Sequence, residues 1–360
     1  MASIGPKRAD GRYRARYRDS AGKEHARHFA RKVDAQRWLD EVTVAVVTGN
    51  YVDPRTSRAA VRAYAGQWQR VQVGRAATLV ILDNALRLHV LPELGDKAIG
   101  SVRRSDVQGL VKSLQAKGLS PGSVRNIYDA AARMFGAAVD DRVISASPCH
   151  RIVLPTRDER DVAPPTLEQV RAIESGMGEL GAAVVVLAGS GLRIGELLGL
   201  QVADVDFLRR TIRVERQRLQ SGTLGPTKSP KSVRTVPVGQ VVIDSLAAHL
   251  AAHPSDGPLF LDEMDRAPLT YRQWKPLWAA AAASAGVDFT THGLRHFYAS
   301  ALIAGGASVR QVQAVLGHSS AVITLRTYAH LWPGDDDRTR SIIDAVFGPS
   351  ADQVRTNEAT

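Results

Sequence analysis

Cysteine is nearly absent, with Cys149 alone among 360 residues. One thiol cannot close an internal disulfide and has no neighbour at metal-ligand spacing, so a disulfide scaffold and a cysteine-built metal site are excluded. A reducing, cytosolic compartment is expected, with buried packing as the role of Cys149. Long apolar runs are missing too. No stretch approaches the roughly 20 residues of a membrane-spanning helix, and the N-terminal stretch is polar and arginine-rich, unlike a secretory leader. No cluster of carboxylates has a metal-ligand pattern, and no glycine-rich loop carries the lysine that would cradle a nucleotide triphosphate. Neither metal nor any other cofactor is expected.

Acidic residues are the scarcer charge, 36 Asp and Glu against 47 Lys and Arg, which leaves a formal net charge of +11. That excess calls for a polyanionic partner: nucleic acid first, an anionic membrane surface second. The hydrophobic fraction of 44% is ample for burial, which excludes a wholly disordered chain, and the length suits two or three domains rather than one core. Residues 1–40 hold 11 Lys and Arg against 5 Asp and Glu, a net +6 in about a ninth of the chain.

The stretch from Thr290 to His330 concentrates groups suited to a phosphodiester in transit. It contains His292, Arg295 and His296, then His318 in a Gly-His-Ser-Ser turn, and closes on Tyr328 and His330. Upstream, Arg193 follows a Gly-Ser-Gly turn and precedes Glu196 by three residues. A pentacoordinate phosphate spreads charge over its equatorial oxygens, so it needs fixed donors aimed at them. Arginine's planar fork matches two such oxygens at once, and Arg193 with Arg295 would form the clamp. A tyrosine hydroxyl, with a reference pKa of about 10, needs adjacent cations before it attacks well.

Singly, each of these residues is more often structural than functional; together and in this order they are not. The set resembles the tyrosine recombinases of the phage integrase family, of the heterobivalent type with an N-terminal arm-type DNA-binding domain. The resemblance implies a site-specific DNA recombinase that cuts through a 3′-phosphotyrosyl intermediate, with Tyr328 as nucleophile, Arg193 and Arg295 on the phosphate, and His292 and His318 in the two imidazole positions. Glu196 matches the family's acidic, orienting position. The catalytic lysine falls in the segment Thr227, Lys228, Ser229, with Lys228 the first choice and Lys231 the second. Gly293 departs from the acidic residue often found after the first histidine. The resemblance further implies a homotetramer on double-stranded DNA attachment sites of core and arm type, possible DNA-bending and directionality (excisionase) proteins, and a cytoplasmic, nucleoid-associated location. A type IB topoisomerase, a regulator that binds DNA without cutting, and a metal-dependent nuclease are the competing readings.

The expected fold is multidomain and mainly α with small β elements. Residues 1–52 should form a three-stranded sheet plus helix, because Arg12, Arg14, Arg16 and Arg18 alternate with Tyr13, Ala15 and Tyr17 as in a strand with one basic face, which a major groove could accept. Residues 56–146 should form a helical, SAM-like core-binding domain, one helix of which is capped by Ser105 and another of which stops near Pro92 and Gly95. Residues 160–348 should form the α+β catalytic domain, opened by a Thr166/Gln169 capping box. There, strands at 211–214 and 233–238 would flank a single turn at 222–230. The remaining 349–360 is a tail. Apolar Ile342, Ile343, Val346 and Phe347 suggest a helix after Tyr328, docked on a neighbouring subunit or on its own domain.

Overall fold

A computed structural model describes residues 2–18, 22–47, 55–156, 163–227, 232–262 and 264–331, with isolated positions between 340 and 347. The chain divides into two compact units, 1–159 and 160–360. No described helix is long and apolar enough to cross a membrane.

The first unit opens with an antiparallel sheet of β1 (Ser3–Lys7), β2 (Tyr13–Arg18) and β3 (Glu24–Phe29), in that order. Period-two alternation sets its two faces. Ala15 and Tyr17 are buried with Ala35 and Leu39 of α1 (Lys32–Val47), and Trp38 packs beside them. The arginines of β2 therefore lie on the opposite face. There Arg14 donates to Glu24, Arg16 to Ser3 Oγ and Arg18 to the Gly22 carbonyl.

A second, separate apolar cluster in this unit is built by helices. They are α2 (Val61–Arg70), α3 (Ala76–Ala85), α4 (Leu91–Leu94), α5 (Arg104–Ala116) and α6 (Pro121–Asp140). One expectation needs correction. Ser105 does not cap α5: the helix starts one residue earlier, and Asp106 accepts the Arg103 amide hydrogen from within the first turn. The stop near Pro92 and Gly95 is where it was expected: a π-helical turn at Leu86–Val90 leads into α4, where Pro92 occupies the first turn and its missing N–H costs little, and the helix ends at Leu94 before Gly95. At α6 the reading holds, since Ser120 caps the helix through the Ser123 amide and Pro121 opens it. Cys149 is half-buried against this cluster rather than fully buried, and burial pushes its thiol up to about 11.

The second unit begins at the expected capping box, Thr166 and Gln169 exchanging hydrogen bonds at the start of α7 (Leu167–Gly176). Helix α8 (Gly181–Ser190) is apolar on all sides and buried through most of its length, as such a helix must be. Gly189 and Ser190 complete it, so the turn before Arg193 is made by Gly191 alone, in the left-handed region at φ 62°. A Cβ there would come within 2.4 Å of the Tyr298 ring, which leaves glycine as the fitting residue.

After α9 (Ile194–Leu197) the chain forms a three-stranded antiparallel sheet of β4 (Val205–Asp206), β5 (Thr211–Val214) and β8 (Arg234–Pro237). Between its second and third strands stands a further hairpin, β6 (Arg216–Arg218) and β7 (Leu224–Pro226), where the sequence suggested one turn. Its first strand is polar throughout and its second, Leu224–Pro226, is too short to show an alternation, while Gly222 at φ 88° helps to close it. Lys228 and Lys231 lie outside the described residues. The unit continues with α10 (Gln240–Ala252), α11 (Tyr271–Ser284), α12 (His292–Ala304), α13 (Val309–Leu316) and α14 (Ala321–Tyr328). Ser308 and Gln311 cap α13 as expected. Helices α10 and α12 both pack on α8, which buries Trp274 of α11 and Leu294 of α12 in one core.

Candidate active site

Arg295 is the centre of the site. It projects from the first turn of α12 and is 2% exposed, a burial that a guanidinium tolerates only when its donors are satisfied. Its Nη1 donates to the Gly191 carbonyl and its Nη2 to the Leu316 carbonyl, both at 2.6 Å. Gly191 and Gly317 both leave their helices in the left-handed region, which turns the chain at the ends of α8 and α13. Burial and the charge of Arg193 push Arg295 down to about 9, so it stays charged at neutral pH. Each Nη carries a second hydrogen and Nε one more, so donors remain for an anion.

Glu196 holds the second arginine. Its carboxylate is 1% exposed and accepts from Arg193 Nη1 at 2.7 Å and Arg193 N at 3.0 Å. Its other partner is Arg234 Nη2 at 2.9 Å. Burial alone would raise this carboxyl, but the Arg234 hydrogen bond and the charges of Arg234 and Arg193 outweigh it and hold the group below the usual carboxylate range. Arg234 is itself fixed by Nε to the Val315 carbonyl and Nη1 to the Ser232 carbonyl. Arg193 keeps 29% of its side chain open to solvent, the most accessible cation of the three.

The imidazoles stand around these cations. His318 follows α13, and its Nδ1 lies 2.8 Å from Thr324 Oγ1 of α14. Burial first, then the charges of Arg295 and Arg193, push it down to about 4, so it is neutral near pH 7. His292 begins α12 with its residue largely exposed. Packing around the ring, then His296, Arg295 and Arg193, lower its pKa; with solvent at its open side, the cations are the firmer cause. Trp274 Nε1 donates to Thr291 Oγ1 at 2.9 Å and fixes the start of this helix.

Tyr328 ends α14, 2% exposed, its ring in an apolar cluster with Ile303, Val312 and Leu316. Burial pushes its phenol up to about 12, against the opposing pull of Arg295. Its hydroxyl lies 2.8 Å from His296 Nδ1. The structure thus brings together Arg193, Glu196, His292, Arg295, His318 and Tyr328. It places Arg12, Arg14, Arg16 and Arg18 in the other unit, on the outer face of the first sheet. His330's side chain lies outside the described residues.

Two residues of the site were given no role from the sequence. Arg234 shares the inward face of β8 with buried Val236, and an arginine at an apolar alternate position is the mark of a buried ion pair. His296 stands four residues after His292, on the same helical face, its ring 4.9 Å from that of His292. Among the described residues no group of three or more His, Cys, Asp or Glu is placed to hold a metal ion. What the arrangement can do is bind a compact anion with fixed donors beside a buried phenol.

Comparison with known proteins agrees with this chemistry. Residues 168–333 match the model of the phage integrase family. A tyrosine recombinase XerC of Mycobacterium bovis (strain BCG / Pasteur 1173P2) is 33% identical over 216 residues, which cover 54% of this chain and 67% of the relative. A putative prophage phiRv2 integrase of Mycobacterium tuberculosis (strain CDC 1551 / Oshkosh) is 25% identical over 355 residues, 93% of each chain. Among solved structures, the Tn1549 transposon integrase in complex with a circular intermediate DNA superposes with a TM-score of 0.67 at 25% identity, over 80% of this chain and 99% of that one.

Proposed function

The chain belongs to the phage integrase family, the tyrosine recombinases, and from that premise we propose how its residues carry out recombination. As a site-specific recombinase it cleaves and rejoins DNA. Tyr328 Oη attacks the scissile phosphorus, a Tyr328 O–P bond forms, and the P–O5′ bond breaks to free a 5′-hydroxyl. That hydroxyl, or the one of a partner duplex, then attacks the phosphotyrosine and restores a phosphodiester. The energy of the broken bond is kept in the intermediate, so no nucleotide is consumed.

Arg193 and Arg295 donate to the non-bridging oxygens, where negative charge concentrates in the transition state. His292 and His318, neutral at rest, donate to the same phosphate and assist proton transfer. Glu196 orients Arg193, with Arg234 completing the pair. Lys228, with Lys231 as the alternative, protonates the leaving 5′-oxygen. The observation that carries this reading is the gathering of Arg193, His292 and His318 around Arg295, which stands beside the buried Tyr328 at the end of α14.

The proposed division is an arm-type DNA-binding domain at 1–52, a core-binding domain at 56–146, the catalytic domain at 160–348 and a tail at 349–360. The arginine face of β2 would bind a second DNA site, with Arg12, Arg14, Arg16 and Arg18 on phosphates or groove edges. That second reader favours a recombinase acting on attachment sites over a topoisomerase that only relaxes supercoils. The working form is a homotetramer on two duplexes, assisted by bending and directionality proteins, in the cytoplasm on the nucleoid. Ile343, Val346 and Phe347 are exposed in the single chain, which suits docking on a neighbour.

A nicked suicide duplex tests the chemistry, because loss of the short strand traps the covalent complex. Wild-type protein should shift to a DNA-linked band on a denaturing gel, and Tyr328→Phe should bind the duplex yet give no such band. An adduct of normal yield in Tyr328→Phe would remove Tyr328 from the nucleophile's place.

A further inference from the structure

The phenol of Tyr328 must lose its proton as it attacks, and the hydrogen-bond partner that the structure gives its oxygen, among the described residues, is His296. We propose that His296 Nδ1 is the general base of strand cleavage, taking the Tyr328 proton as the Tyr328 O–P bond forms, and the acid that returns it to the phenolate during rejoining. The proposal rests on the recombinase reading and deepens it, since it names the atom that receives the Tyr328 proton.

The geometry supports it at several points. The 2.8 Å separation between Nδ1 and Oη is that of a well-formed hydrogen bond, already inside the range for direct proton transfer. The two rings meet edge-on, centroids 5.5 Å apart at 61°, which leaves the ring nitrogen facing the hydroxyl. His296 lies on α12 and Tyr328 ends α14, elements held in register by the Arg295 bond to Leu316 and by the cluster that seats the Tyr328 ring. The groups facing His296 are Arg295 beside it, His292 one turn earlier and Tyr328 opposite.

The electrostatics give the pair a direction. Burial and the Arg295 charge both lower His296, so its imidazole is neutral and able to accept a proton near pH 7. Burial holds Tyr328 at about 12, so a free phenolate is scarce and a base has a task to perform. His318 Nδ1 is occupied with Thr324 Oγ1 instead. The step balances: Oη–H breaks, Nδ1–H forms, the O–P bond forms, and the 5′-oxygen leaves with a proton from the leaving-group acid. The imidazolium then awaits the reverse step, and Arg295 beside it keeps that charge short-lived.

The test uses the full-length protein on a nicked duplex carrying the site that wild-type protein selects from a random-sequence pool. His296→Asn keeps an amide able to hydrogen-bond the phenol but unable to take its proton. Adduct formation should fall by about 100-fold or more, within the range general bases supply, while duplex affinity stays unchanged. The defect should persist on a duplex with a bridging 5′-sulfur, whose leaving group needs no acid. In His296→Asn the rate should rise with pH where the wild-type rate is level, and imidazole added to His296→Ala should restore part of it.

A purely structural role would also slow the adduct but predicts neither the rate rising with pH in His296→Asn nor the restoration by imidazole in His296→Ala. His296→Asn forming adduct at the wild-type rate, with the wild-type pH profile, would overturn the proposal. Nitrogen-15 spectra of the DNA-free wild type provide a readout that needs no variant to fold: a bare Nδ1 with hydrogen on Nε2 is expected, and hydrogen on Nδ1 overturns the assignment. Failure of the underlying reading looks different, because then wild-type protein gives no adduct, or Tyr328→Phe retains it.

Discussion

Removing Glu196 should cost more stability than any other single carboxylate change in the site. The side chain is 1% exposed and is bonded by two different arginines, at 2.7 Å and 2.9 Å. Glu196→Ala leaves Arg234, with 7% of its side chain exposed, as an uncompensated buried cation. Breaking one side of a buried pair costs about 3–5 kcal/mol. Glu196→Gln keeps the shape and one acceptor oxygen but turns amide hydrogens toward a guanidinium, so a loss of about 1.5–3 kcal/mol is expected, the worth of a hydrogen bond to a charged group. In a unit of this size each kcal/mol moves the melting midpoint by roughly 2–4 °C, so Glu196→Ala should lower it by roughly 6–20 °C.

Calorimetry resolves the transition of the second unit, and a pH series identifies the cause. Because the folded state holds this carboxyl below its ordinary value of about 4.3, its stabilisation is complete above that pH and is lost as pH falls through the folded value. Wild-type protein should lose that part of its stability on acidification, and Glu196→Gln should have none of it to lose. A Glu196→Ala midpoint within about 2 °C of wild type, when 6 °C is the least expected, would refute the claim that this carboxylate holds the two arginines.

Two further outcomes follow from charge. Strand cleavage should proceed unchanged in EDTA, because Arg193 and Arg295 occupy the place of a cation on the phosphate; cleavage that stops and returns with Mg²⁺ would contradict this. A protein beginning at residue 55 should still protect the core site but not a second, distinct footprint, and its salt dependence should flatten by roughly 0.9 in log–log slope for each phosphate that the missing arginines no longer neutralise; equal footprints and equal slopes would leave the β2 arginines without a DNA role.

Much of the site was legible because its chemistry is local in sequence. His292 and Arg295 lie one helical turn apart, Arg193 and Glu196 likewise, and the caps at Thr166, Ser120 and Ser308 announce their helices through side chains three residues on. What escaped depends on contacts across long separations. Arg234 reads as a surface charge on a strand until Glu196, 38 residues earlier, is placed against it. His296 is overshadowed by its neighbour Arg295, and its partner Tyr328 comes 32 residues later. The β6–β7 hairpin escaped for another reason: Arg216–Arg218 alternates nothing apolar, and beside the ladder its pairing rests on polar side chains, Gln217 Nε2 donating to the Pro226 carbonyl and Arg218 Nη1 to that of Gly222. Ser105 misled as a cap because Asp106 satisfies the orphan amide from inside the helix.

The two carbonyls that grip Arg295 end helices. Gly191 closes α8 and Leu316 closes α13, and a helix carries roughly half a negative charge at that end. Two such ends together approach the charge of one guanidinium, so the hydrogen bonds that hold Arg295 come from peptide dipoles, with the charge of Glu196 acting from a distance. Peptide dipoles do not titrate and do not move with a side-chain rotamer. Arg295 has no carboxylate in hydrogen-bond contact, and the hydrogen bonds of Glu196 go to Arg193 and Arg234. A lysine at 295 has a single nitrogen and could not span both helix ends, so the substitution would loosen α8 from α13 as well as weaken anion binding.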